Sequence, residues 1–315
     1  MKIVTVILLA TCAAASPQFA IAKSKAPVFV EAKPVKDTPS VALDPAKAYI
    51  LLRTPGAMPM HFVKIPNAED QIAYDKLKAE AFAEVKEDYA KDLAKYERDM
   101  ALAKKTKGMK EPKKPIEPTE TNFQFTRFEQ MANFTMGPLN RFYSKNGSTY
   151  LHAVTPGRYR IFGQFDPLVG IGVCYCMGSV SFDAEAGKIT DLGTMTTDLS
   201  NAGPPEKGDS SSPRAAAYAM ALEPVKDSTG IDVRLKSLSR NIADLRAAGK
   251  MANYYGIAIS RLPAIPGVIS YRRDQIIDKK ALVADPAPTP VEAEVAETTA
   301  VEAAAPAEVI AAPAP

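Results

Sequence analysis

The sequence predicts a mainly β protein, an antiparallel β-sandwich with a long α-helical insertion and a disordered tail. Three observations predict it. Short apolar or alternating runs recur between Pro-Gly and Asn-Gly turns, the pattern of a sheet protein with many strands. From Asn67 to Lys107 there is neither glycine nor proline, and apolar residues return every three or four positions. From Ala284 to Pro315 the chain is almost wholly Ala, Pro, Glu, Val and Thr, a composition that cannot bury a core.

The chain opens with the three parts that a signal peptidase reads. Met1-Lys2 is a minimal positive region, Ile3 to Ala15 is an uncharged apolar run, and Ala20-Ile21-Ala22 is an A-x-A cleavage site before Lys23. The apolar run is shorter than the roughly 20 residues that cross a bilayer. Residues 1–22 are therefore expected to be a signal peptide that directs export to the periplasm or to the outer membrane. Leu9-Ala10-Thr11-Cys12 is an imperfect lipobox, which makes Cys12 a candidate lipid anchor. No later stretch is long and apolar enough for a transmembrane helix.

Residues 23–45, rich in Pro, Lys and Ala without a period, read as a flexible lead-in. Two strands follow, Ala48–Arg53 before the turn Thr54-Pro55-Gly56, and Met60–Ile65 before Pro66. Residues 67–107 then read as a helical insertion, with Asn67 as N-cap. Its apolar face runs through Tyr74, Leu77, Val85, Tyr89, Leu93 and Tyr96, and charges of both signs cover the other faces. That stripe suits either packing on its own domain or a partner helix. Gly108, Pro112, Pro115 and Pro118 end the helix.

Strand chemistry resumes at Asn122–Phe128, where aromatic and polar residues alternate. The Asn146-Gly147 pair predicts a hairpin between Arg141–Tyr143 and Thr149–Val154. Arg158–Gly163 reads as a strand, and Val173–Phe182 with Gly187–Leu192 as a further hairpin. Residues 46–200 thus form the sandwich, and 201–214, Pro- and Ser-rich, a linker. Residues 215–283 form an α+β segment packed on it, with a strand at Tyr218–Val225, a short helix at Ser237–Met251 and strands at Tyr254–Ser260 and Val268–Tyr271. Residues 284–315 are the tail.

The runs Ala48-Tyr49-Ile50-Leu51-Leu52-Arg53-Thr54-Pro55-Gly56 and Tyr150 to Ile161, with Thr155-Pro156-Gly157-Arg158-Tyr159 at its centre, resemble a domain of unknown function found in small bacterial lipoproteins. The resemblance covers residues 46–195, interrupted by the helix, and implies a compact transthyretin- or Ig-like β-sandwich. It implies no catalytic residues.

Composition narrows the function. The chain carries 39 Lys and Arg against 36 Asp and Glu, a net charge of +3, too balanced for a nucleic-acid partner. No P-loop, dinucleotide fingerprint, HExxH or Gly-x-Ser-x-Gly is present. Only His61 and His152 offer an imidazole, and His152 on a strand reads as a satisfied structural histidine.

The sharpest local feature is Cys174-Tyr175-Cys176. On a strand the two side chains share a face. They read as a redox-active disulfide, as thiolate ligands for copper or zinc, or as small core residues. Met58, Met60 and His61 form a second soft cluster that a metal would also use. The expected function is an exported, non-enzymatic structural or interaction module of the cell envelope. No cofactor is expected, the partner is another envelope protein, and the alternative is a soft-metal protein using Cys174, Cys176, Met58, Met60 and His61.

Overall fold

The structure is a computed structural model and describes residues 27–144, 147–166, 168, 170–197, 220–226 and 231–284. It is mainly β, with several sheets and one long helix. Strands are numbered along the chain. The first sheet has the order β1 (Ala32–Pro34), β5 (Ser148–Val154), β2 (Ala48–Thr54), β9 (Ile189–Thr197) and β10 (Met220–Glu223), with β11 (Arg240–Ile242) also on β9. The second runs β12 (Arg246–Ala248), β8 (Ser179–Ala184), β6 (Gly157–Asp166), β3 (Met60–Lys64) and β4 (Asn133–Met136). β7 (Ile171–Cys174) joins the far half of β6, and β13 (Ala258–Ile259) joins β7. β14 (Ile269–Arg272) and β15 (Gln275–Asp278) form a separate two-stranded sheet whose Ile269 joins the main core, before a helix Lys279–Ala284.

Alternation along the strands builds one apolar layer between the two sheets. Ile50 and Leu52 of β2 and Tyr150 of β5 meet Met60 and Phe62 of β3, Ile161 of β6 and Phe182 of β8 in a single buried cluster. Side chains on the opposite faces do not stay in water either. Tyr49, Leu51 and Leu151 pack with Phe142, Ile231 and Leu235, so β2 is buried on both faces. This explains why β2 reads as a continuous apolar run rather than an alternating one. Asp191 of β9 is fully buried and is held by the guanidinium of Arg53, at 2.8 and 3.2 Å, with Arg240 at 3.9 Å. One carboxylate thus ties β2, β9 and β11 together.

Several expectations need correction. Pairing is not wholly antiparallel: β2 with β9, β11 with β9 and β13 with β7 are parallel. The hairpin read at Val173–Phe182 and Gly187–Leu192 does not form, because β8 lies in the second sheet and β9 in the first. The chain also turns at Tyr175–Gly178, so Val173–Phe182 is two strands. No helix forms at Ser237–Met251. Leu238, Ile242 and Leu245 have helical spacing, but the segment passes between the sheets and gives β11 to one open edge and β12 to another, where unpaired backbone groups await a partner. Of Tyr254–Ser260 only β13 is a strand.

Part of the supposed lead-in is structured. Phe29 is buried and Ala32–Pro34 pairs with β5, an outer position where a proline without an N–H is tolerated. The signal peptide at 1–22 with Cys12, the linker at 201–214 and the tail from residue 285 lie outside the described residues.

The helix forms as expected. α1 spans Ala68–Lys105, and Asn67 caps it by accepting the Asp70 N–H at 2.7 Å while Asp70 accepts the Asn67 N–H at 3.1 Å. The Asp70 carboxylate also holds the Lys64 ammonium at 2.7 Å in a nearly buried pair, which fixes the helix root to the end of β3. Lys64 lies so close to Gly157 that a Cβ there would stand 2.9 Å from its Cε.

Candidate functional site

The residues selected from the sequence fall in two places. The first is the outer face of the second sheet. Because side chains alternate along β3, Met60 points into the layer between the sheets and His61 points the other way. Met58 packs at the margin of the inner layer. On the outer side, Val63, Phe162, Phe165, Cys174 and Cys176 form a separate cluster, covered by Met251, Tyr254, Tyr255 and Ile257. The covering segment is stitched on by its backbone: the Met251 N–H donates to the Cys176 carbonyl at 2.9 Å and the Ser260 N–H to the Cys174 carbonyl at 2.7 Å.

His61 is 1% exposed in this layer. Its Nδ1 lies 2.8 Å from the Thr135 hydroxyl and its Nε2 3.3 Å from the Tyr255 hydroxyl. The rings of Phe162, Phe165 and Tyr255 meet it edge to face at 5.3 to 5.4 Å. Burial away from any carboxylate pushes its pKa down to about 4, so the ring is neutral at ordinary pH. Cys174 and Cys176 are joined as a disulfide, with Cα atoms 5.1 Å apart, and both are buried. The structure joins the two sulfurs to each other and places the pair in the buried outer layer.

The five-residue soft-metal set is therefore not assembled. Met60 is separated from His61 by the sheet itself, and the two sulfurs of the cysteines are spent on each other. Among the described residues no group of three or more His, Cys, Asp or Glu is placed to hold a metal ion. What the structure does bring together, His61 and the disulfide in one layer with Gly163 of β6 between them, has a sequence signal only in part. The alternation of β3 was legible, but the cover by residues 251–257 is a long-range contact.

His152 also departs from expectation. It is 5% exposed on β5, stacked near Phe134, and neither ring nitrogen has a hydrogen-bond partner. It is a structural histidine, but an unsatisfied one, and burial lowers its pKa to about 4.

The second place is α1. Leu77 is buried and Tyr74 half-buried. The Tyr74 ring lies 5.6 Å from Phe125 and 5.9 Å from Phe128, and its hydroxyl donates to the Thr126 carbonyl at 3.1 Å. Phe82 meets Phe123 at 5.0 Å. These partners belong to the segment that follows the helix, so the expected strand at Asn122–Phe128 is instead a return chain running antiparallel to α1, closed by a one-turn helix α2 (Phe128–Met131). α2, Phe29 and Ala132 form the small cluster on which Ala73 and Tyr74 sit.

Farther out, Val85, Tyr89, Leu93 and Tyr96 are each half-buried. In the return chain Pro112, Pro115 and Pro118 are half-buried while Lys113, Lys114, Ile116 and Glu117 between them are exposed. Burial every third residue is the period of a polyproline II helix. α1 is about 57 Å long at its helical rise, and the return chain beside it is interrupted by a hydrogen-bonded turn at Thr119–Phe123. The stripe named for partner binding is thus partly occupied by the protein itself. The residues shown to take that place are Phe123 and Phe125 of the return chain, against Phe82 and Tyr74.

Two clefts border these elements. One, of about 500 Å³, is lined by Lys64, Asn67, Gly157, Arg158 and Asp183, and the other, of about 560 Å³, by Arg53, Tyr143, Ile231 and Arg234 among others. Their cations are already paired, Lys64 with Asp70, Arg158 with Asp183, Arg53 with Asp191, and Arg234 with Asp37 and Asp232. Comparison with protein-family models, with curated proteins and with solved structures finds no match to this chain.

Proposed function

We propose that the chain is an exported, non-catalytic interaction module of the cell envelope, in which two sheets form a transthyretin- or Ig-like sandwich and α1 with its return chain forms the binding arm. The observation that carries the reading is the arrangement of α1. Among the described residues, the hydrogen bonds and ring contacts that tie it to other segments gather in its first four turns, and it continues for several turns beyond Phe82. Such an arm adds little to the sheets' core. A shape of this kind suits presenting a surface at a distance from the body that bears it. The shared apolar layer between the two sheets supports the sandwich, and the opening Met1–Ala22 pattern supports export.

The experiment is fractionation of cells that make the chain, with the N-terminus read by mass spectrometry. The expected result is an envelope-associated protein starting at Lys23, which leaves the envelope fraction when residues 87–118 are replaced by a short Gly-Ser turn and which melts as before. A chain retained inside the cell with Met1 intact would sink export. Unchanged association of the shortened, folded variant would sink the arm as binding element.

A further inference from the structure

The tip of the arm has a chemistry that neither the sheets nor the rest of the helix shares. Within eleven consecutive residues, Lys104 to Lys114, lie six lysines and one glutamate. That local charge of +5 exceeds the +3 of the whole chain, so the remainder is slightly acidic and the positive field is concentrated at one end. All six lysines are exposed, and none forms an ion pair among the described residues. The tip is a built turn: the Thr106 N–H closes on the Leu102 and Ala103 carbonyls, the Met109 N–H donates to the Thr106 carbonyl at 3.2 Å, and Gly108 supplies the positive φ of 88°. At this turn two apolar side chains face water, Leu102 at 52% and Met109 at 44% exposure. From Phe82 to Lys105 the helix rises about 35 Å, which sets the tip well away from its root.

We propose that this tip docks on an anionic lipid surface, the lysines held at the headgroups and Met109 with Leu102 dipping into the apolar boundary. Lysine is a flexible point charge that attracts an anionic surface without directional pairing, and a cluster of four to eight suffices for such attraction. Exposed apolar side chains at the same turn distinguish a bilayer from a soluble polyanion. A nucleic-acid strand would call for aromatic stacking platforms and arginine, and residues 102–114 hold neither. The inference rests on the arm being the binding element and names the surface it binds.

The test floats the chain from Lys23 onward, which keeps every residue of the described fold, with vesicles of phosphatidylcholine alone or mixed with phosphatidylglycerol. Comigration is expected only with the anionic vesicles, and raised salt reduces it. Each step of the series Lys107→Gln, Lys110→Gln, Lys113→Gln weakens partitioning roughly fivefold, the effect of one lysine near an anionic surface, with no change in melting. A polarity-sensitive dye on Met109→Cys, the only reactive thiol while Cys174 and Cys176 are bonded, shifts to the blue on binding. Equal partition to neutral vesicles, retention by the triple variant, or no flotation would overturn the proposal. So would tighter binding to soluble polyphosphate that Met109→Ser leaves unchanged, which assigns the tip to a polyanion. If flotation fails while loss of the arm still releases the protein from the envelope fraction, the arm stands as a binding element and the lipid assignment alone falls.

Discussion

Both histidines of this chain are spent in apolar layers, His61 among aromatic rings with two hydroxyl partners and His152 with none. Their folded pKa values lie near 4, below the ordinary 6.5, because burial penalises the charged ring. The unfolded chain therefore binds more protons between those values. The stability that neutral histidines contribute is complete above pH 6.5 and is lost as the pH falls toward 4. Each group contributes about 3 kcal/mol over that window. Urea unfolding between pH 7 and 4 should show a steep loss of stability, and His152→Leu should remove about half of it. A profile in which the variant follows the parent would mean that His152 does not carry the effect. The sequence reading of His152 as a strand histidine located it correctly but missed its lack of partners, since hydrogen-bond satisfaction depends on residues distant in sequence.

At the scale of elements, the Cys174–Cys176 bond and the α1 hairpin make opposite demands on stability. A disulfide that encloses one residue removes little chain entropy, about 1.5 kcal/mol by the loop-closure relation. Cys174→Ala/Cys176→Ala should thus cost about that much in a urea melt, plus any packing lost under Tyr254 and Tyr255. A loss several times larger would show that the bond organises the whole 251–262 cover. The hairpin should open without the sheets. Phe123→Ala removes the ring against Phe82, and faster amide exchange is expected over Val85–Lys105 while the melting temperature moves little. A large fall in melting temperature would instead make the arm part of the cooperative core. Residues 67–107 were legible as a helix because caps, period and breakers all agree. The return chain was not, because the contacts that hold it, Phe123 on Phe82 and Phe125 on Tyr74, join residues distant in sequence.

For the whole molecule, charge and shape divide the work. Within the sheets Asp191 is buried between Arg53 and Arg240, whereas six exposed lysines cluster at the end of the arm. The proposed role requires that envelope association through the arm weaken with salt while the body melts independently of salt to first order. Parallel salt titrations of envelope association and of thermal unfolding check this. Loss of both together would place the charged end within the folded core.

By itself the sequence determined the local elements whose signals are close along the chain: β2 and β3 with their turns, the long capped helix, the β character of the chain, and the charge of the tip. These follow from propensity, period and turn chemistry, which act over a few residues. Only the tertiary structure decided which strands share a sheet, that β8 and β9 part company after Gly187, and that residues 251–257 cover His61 and the disulfide. It also split the soft-metal set, because Met60 and His61 are neighbours in sequence but lie on opposite faces of a strand. The physical reason is that sheet partners and covering segments are chosen by burial and by unpaired backbone edges, which the chain meets only once it has closed on itself.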